Sequence, residues 1–321
     1  MANGVLLGLT AALCWGVADF CLRGATHAAG TFRVLYFMQI VGLAALLGLA
    51  PWLGLSFAGA TPGLVLVASA LSLVILVGAA LLYRSFVIGK LAVVSPIAAS
   101  FGAITTILAL ATGERPTAPQ LAGLAALLVG VTLSGMALTP RDATGGQPTA
   151  PGQRAEPAWR RWFGPGVPEA LGATLLFGGA YFGLRYVAPQ LGGVQTAMIG
   201  KAADLVALSL IVLLGWATRR ALGRVGAPFA QGSVIPAARA LAPRSGAFWR
   251  WLIPGAALDI SANVAYNLGI SGALTSVVAT LSSLFTAVTV VLAWIFLRER
   301  LTRIQWLGLA LILIGIALVN V

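Results

Sequence analysis

Long apolar runs separated by short polar stretches dominate this chain. A helix needs about 20 predominantly apolar residues to cross a bilayer. Runs of that kind lie near 4–22, 34–54, 62–83, 91–112, 119–138, 167–187, 194–216, 248–269, 272–297 and 303–321. Backbone groups in hydrocarbon must bond within their own segment, so each run is predicted as a helix. The pattern therefore predicts an all-α integral membrane protein with ten transmembrane helices. The widest polar interruption, residues 139–166, is rich in proline and glycine and has no core-forming period. It is predicted as a linker between a first five-helix unit, 1–138, and a second, 167–321.

The two units are copies of one another. The stretch from Glu114 to Gly123 recurs 185 positions later, from Glu299 to Gly308, and the match over 113–133 holds ten identities in 21 positions. Leu9–Arg23 matches Leu171–Arg185 with eight identities in 15. Five is odd, so the second copy enters the membrane from the opposite side and the repeat is predicted to be inverted. A pseudo-twofold axis then lies in the membrane plane, with a site where the halves meet.

Composition fixes the solvent. Only 9% of residues are charged and 59% are hydrophobic, against roughly 25% charged in a soluble domain. Mean hydropathy is +0.96, so lipid must clothe the surface. The net charge of +12 is scattered through short connections and builds no face for nucleic acid. Seventeen Lys and Arg residues fall in the odd-numbered connections, but only Arg115 and Arg185 in the even-numbered ones. That asymmetry predicts odd-numbered loops in the cytosol and both termini outside, in a multi-pass protein of a bacterial inner membrane. Trp159, Trp162, Trp249 and Trp251 flank arginines on the same face, as interfacial anchors do. Cys14 and Cys21 share one apolar run and set up no disulfide framework. The first residues lack a basic leader, so the first run is predicted to be a retained span. No phosphate-binding loop, metal-ligand spacing or paired catalytic motif occurs, which argues against an enzyme, a nucleotide-driven pump or a bound cofactor.

Several motifs carry a resemblance. They are Trp15-Gly16, the segment Tyr83-Arg84-Ser85-Phe86-Val87-Ile88-Gly89-Lys90 leading to Val94-Ser95-Pro96, and the paired turns Gly113-Glu114-Arg115 and Arg298-Glu299-Arg300. The closing run Gln305–Leu318 adds to them. Together they resemble the drug/metabolite transporter superfamily, in particular its EamA-type ten-helix permeases. The resemblance implies an inverted five-plus-five fold with a central cavity lined by helices 1, 3, 4, 6, 8 and 9, and movement of small organic metabolites, often amino acids. Two departures matter. Many members resemble an N-in arrangement with a basic second loop, whereas residues 55–61 here carry no charge. Small four-helix relatives use a glutamate in helix 1 to couple protons; the matching region around Cys14-Trp15 has none, so proton coupling is not inherited by analogy.

Four ionisable residues lie well inside spans: Asp19, Lys201, Asp204 and Asp259. Each costs about 2.5–3.5 kcal/mol at a membrane helix centre on insertion scales, so each needs a partner or a use. Lys201 and Asp204 stand three apart and are predicted to pair, as a structural ion pair or as a coupling element. Asp19 follows Trp15 by four positions on one helix face, and its repeat equivalent is Tyr181. It either lines the site or snorkels to water beside Arg23. Asp259, Asn263 and Asn267 recur every four residues next to Tyr266, a stripe predicted to face a wet cavity rather than lipid. Ser282, Ser283 and Thr286 of the ninth span, and Ser95, Ser100 and Thr105 of the fourth beside Pro96, either line the site or bond back to their own helices. Tyr83 joins the candidate cavity set. Glu114 and Glu299 read as caps on the last helix of each half, and Gly123/Gly130 and Gly308/Gly315 as close-packing positions. His27, the only histidine, has no neighbours that suit a metal.

These features predict a secondary active or facilitative transporter that alternates access between its two halves. Its substrate is expected to be a small amphipathic metabolite such as an amino acid, with membrane lipid around a monomer or homodimer. The alternative is a flippase of a lipid-linked precursor, which needs a cationic clamp; only Lys201 and Arg185 offer one.

Overall fold

A computed structural model describes residues 2–89, 91–135, 165–221, 246–297 and 303–319. The 139–164 part of the predicted linker, Lys90, and the Arg298-Glu299-Arg300 turn lie outside the described residues, as do Trp159 and Trp162. Every regular element among the described residues is helical. In chain order they are α1 (Ala2–Ala29), α2 (Thr31–Leu53), α3 (Pro62–Ile88), α4 (Leu91–Ala99), α5 (Phe101–Ala111) and α6 (Ala118–Gly135). There follow α7 (Val167–Gly183), a 3-10 turn at Leu184–Tyr186, α8 (Ala188–Leu191), α9 (Gly193–Ala221), α10 (Gly246–Gly272), α11 (Thr275–Ser282), α12 (Phe285–Leu297) and α13 (Arg303–Val319). Among the described residues five helices, Asn3–Ala29, Thr31–Leu53, Pro62–Ile88, Val167–Tyr186 and Gly193–Ala217, are long and apolar enough to cross a membrane.

Local chemistry explains the boundaries. Thr61 caps α3, its hydroxyl accepting from Leu64 N at 3.3 Å with Pro62 in the first turn. α1 and α2 are joined by Gly30 alone, at φ 86°. A residue with a Cβ is strained there, and glycine makes the one-residue reversal possible. Leucines and valines on the outer faces, such as Leu66 at 70% exposure, are the surface that lipid covers.

Two expected spans are not continuous. The run 91–112 divides at Ser100 into α4 and α5, and the run 272–297 divides at Ser283–Leu284 into α11 and α12. At the second break Leu284 N bonds Leu281 O at 3.1 Å, a tightened i to i−3 turn, while the Ser283 hydroxyl donates to Thr280 O at 2.7 Å. The breaks lie where the two helices cross. A Cβ on Gly102 would come within 2.8 Å of Ala279 O, so only glycine allows the backbones this close.

α6 and α13 show the same device. A Cβ on Gly130 would meet Gly308 O at 2.8 Å, and one on Gly315 would meet Gly123 O at 2.9 Å. The residue order along one helix runs against that along the other, so the two pack antiparallel through four glycines. The apolar core between these seams draws on α1, α3, α7, α10 and α11, with Leu22, Phe86, Phe248, Leu252 and Val278 fully buried.

Candidate functional site

A partly open cavity of about 90 Å³ lies inside the bundle, with α1, α2, α3, α5, α7, α9, α10 and α12 all contributing to its wall. One side is aromatic. Trp15 packs on Tyr181 at 5.3 Å between ring centroids and on Phe101 at 6.2 Å, edge to face. Phe101 stacks on Phe285 at 6.3 Å, across the two helix breaks, and lies 5.2 Å from Tyr181. The breaks in the fourth and ninth spans thus place one ring each at the cavity. The other side is polar: Asp19 comes from α1, Gln39 from α2, Ser72 from α3, Lys201 and Asp204 from α9, and Asp259, Asn263 and Asn267 from α10.

The charges pair differently from the sequence expectation. The Lys201 ammonium bonds Asp259 Oδ2 at 2.8 Å, helix to helix, rather than closing on Asp204 one turn along. Facing helices bring Asp259 to the ammonium head-on, whereas a pair three apart along one helix meets only if the side chain bends back. Asp204 feels the Lys201 ammonium without closing on it and is hydrogen-bonded by the Ser72 hydroxyl. Asp19 is 6% exposed and sits in the cavity wall. Asn263 donates to Asp259 O at 2.7 Å, and Asn267 donates to Gly193 O at 3.3 Å, tying α10 to the start of α9.

The cavity wall includes Trp15, Asp19, Tyr83, Tyr181, Asp259 and Asn263. Tyr266 stands one layer behind, fully buried, its ring 4.9 Å from Tyr181 and 5.8 Å from Trp15. Ser95, Ser100, Ser282, Ser283 and Thr286 lie off the wall, where α4–α5 crosses α11–α12. Thr286 donates to Ser95 O at 3.2 Å there, joining the two broken spans, while Ser283 bonds back to Thr280 O at 2.7 Å. Thr105 bonds Gly178 O at 3.0 Å.

Glu114 is also placed differently. Its two carboxylate oxygens accept from Thr275 N at 2.9 Å and Ser276 N at 3.0 Å, the first residues of α11, so it caps a helix of the other half rather than its own. Arg185 lies 3.4 Å from the same carboxylate and donates to Thr112 Oγ1 at 3.0 Å. Sequence reasoning did not single out Gln39, Ser72, Phe101 or Phe177, and it noted Phe285 only beside the ninth-span hydroxyls. A lone amide in an apolar run marked Gln39, and Phe177 is the repeat equivalent of Trp15. Phe101 and Phe285 owe their place to helix breaks that no periodicity announces.

A membrane-embedded helical bundle, carrying charge at a cavity that many of its helices share, defines a class: multi-pass membrane transporters. The model of the EamA-like transporter family matches residues 2–136 and 164–321, and the chain belongs to that family. Among solved structures, one titled "Crystal structure of protein" is similar in fold, with a TM-score of 0.68 at 17% identity. The match covers 99% of this chain and 98% of that one. No curated protein matches the sequence.

Proposed function

We propose that this protein is a secondary or facilitative transporter of small amphipathic organic metabolites, the class to which amino acids belong. It works as ten spans in two inverted five-helix halves, 1–138 and 167–321, joined by a 139–166 linker. Both termini lie outside a bacterial inner membrane, and the halves rock about the cavity to expose it to each side in turn. The observation that carries this reading is the cavity itself: Trp15 and Asp19 reach it from one half, Tyr181, Lys201 and Asp259 from the other. The antiparallel packing of Gly123 and Gly130 against Gly308 and Gly315 supports the inverted relation, because equivalent helices meet head to tail. One chain supplies the whole wall, so the site asks for no second copy.

In this reading the rings of Trp15 and Tyr181 cover the apolar part of the solute, and Asp19, Asp259 and Asn263 address its polar part. Lys201, bonded to Asp259, acts as the internal counter-ion that the solute must work against. The flippase alternative lacks support in the geometry. Both residues it needs as a phosphate clamp are engaged, Lys201 with Asp259 and Arg185 with Glu114.

Uptake into proteoliposomes tests the proposal. A panel of labelled amino acids and amines should include at least one solute that enters faster than into protein-free vesicles. Asp19→Asn and Asp259→Asn should each slow that uptake at least tenfold per folded molecule. Wild-type rates in both variants remove these carboxylates from the mechanism.

A further inference from the structure

The cavity wall is one-sided in charge and in hydrogen bonding. It holds three carboxylates, Asp19, Asp204 and Asp259, against the single ammonium of Lys201. Lys201 bonds Asp259 at 2.8 Å and also acts on Asp204 one turn along, so a single ammonium answers three acids and Asp19 has no ion pair among the described residues. Three wall residues also carry a buried oxygen with no hydrogen-bond partner: Asp204 Oδ1, Asn267 Oδ1 and Gln39 Oε1. The Asn267 assignment is fixed, because its Nδ2 donates to Gly193 O at 3.3 Å. All three are acceptors. Buried carboxylates and amide oxygens are costly to leave unpaired, so a donor completes this wall, and the excess of acids over the one ammonium favours a donor that bears positive charge.

The aromatic side points the same way. Ring faces attract cations through their quadrupole, and Trp15, Tyr181 and Phe101 form one continuous patch in the same wall as the acidic groups. A carboxylate on the solute would meet the opposite treatment, with three acids in the wall and its one ammonium already bound. Size adds a limit. The cavity, about 90 Å³ and partly open, suits a small solute.

We infer that the cavity takes a small organic ammonium ion that carries no carboxylate of its own. This deepens the transporter reading above and rests on it. The ammonium sits among Asp19, Asp204 and the free oxygens of Asn267 and Gln39, with its apolar body against Trp15 and Tyr181. Charge, more than shape, then divides substrates from non-substrates.

A matched series separates charge from size: butylamine, a cation; norvaline, a zwitterion; and valerate, an anion. Each is titrated calorimetrically into the purified full chain in nanodiscs, and each is then tried as a competitor of proteoliposome uptake. Butylamine should bind at least tenfold tighter than norvaline or valerate. Asp204→Asn and Asp19→Asn should each weaken it at least fivefold and narrow its lead over norvaline. Either variant suffices should the other fail to fold. Equal or tighter binding of norvaline or valerate overturns the charge inference and leaves the transporter reading standing. No binding by any of the three, with no solute transported, overturns both.

Discussion

Two polar regions lie buried in this apolar bundle, and they use their polarity in opposite ways. Where α4–α5 crosses α11–α12, neutral hydroxyls meet one another and the backbone: Thr106 lies 2.8 Å from Thr280 Oγ1, Thr286 bonds Ser95 O, and no ionisable residue belongs to any of the four helices. At the cavity, by contrast, α1, α9 and α10 bring four ionisable groups together. Neutral polarity that finds partners across helices is adhesive in a bilayer. Charge kept inside spans, at about 2.5–3.5 kcal/mol each on insertion scales, is retained for a use. The comparison assigns the crossing to the scaffold and the cavity to the work.

The strongest test breaks the charged region. Lys201→Met leaves the Asp259 carboxylate buried without its partner, a change expected to cost about 3–5 kcal/mol of stability. Combining it with Asp259→Leu replaces both charges by apolar groups, and most of that loss should return. Transport should stay absent in the double variant, because the wall no longer carries the pair. Unfolding by SDS titration, followed through tryptophan fluorescence, reads the first two effects and liposome uptake the third. A double variant no more stable than Lys201→Met alone shows that the ion pair does not set the stability of this region.

The sequence reveals these two regions unequally. Hydropathy, the 185-residue repeat and the glycine spacing made the helical membrane class and the close-packing faces of α6 and α13 readable, because each is a property of one segment or of two aligned ones. Asp19, Asp259, Asn263 and Asn267 stood out for the same reason: polar residues in apolar runs are conspicuous. Partners across helices were not legible. Lys201 offered Asp204 as its nearest acid along the chain, and only the packing of α9 on α10 gives it Asp259. Glu114 offered its own helix, yet the fold delivers it to α11. The serines of the ninth span looked like cavity groups because a run of hydroxyls says nothing of which way a broken helix turns. Local periodicity fixes faces; it does not say which face meets which.

A middling effect is expected at the crossing itself. Gly102→Val drives a branched side chain against Ala279 O and the Ser283 side chain, both 2.8 Å from where its Cβ would stand. Overpacking of that kind costs typically about 1–3 kcal/mol, and here backbone must yield because Ala279 O has no rotamer to change. The variant should unfold at lower SDS than wild type. Its substrate affinity should fall less than that of Asp204→Asn, since Gly102 is no part of the wall. A Gly102→Val protein as stable as wild type shows that the two broken helices are free to separate.

The smallest effect sharpens the contrast. Thr106→Val keeps shape and volume but removes the hydroxyl that meets Thr280 Oγ1 at 2.8 Å and Ser276 O at 3.2 Å. Intramolecular hydrogen bonds contribute about 0.5–1.5 kcal/mol each, and the Thr280 hydroxyl can turn back to a carbonyl of its own helix. A loss of about 1 kcal/mol is therefore expected, with uptake per folded molecule unchanged. A stability loss with intact uptake places Thr106 among the residues that hold the bundle. Lost uptake at wild-type stability shows instead that the crossing moves during transport, which extends the working region of the protein from the charged wall into its scaffold.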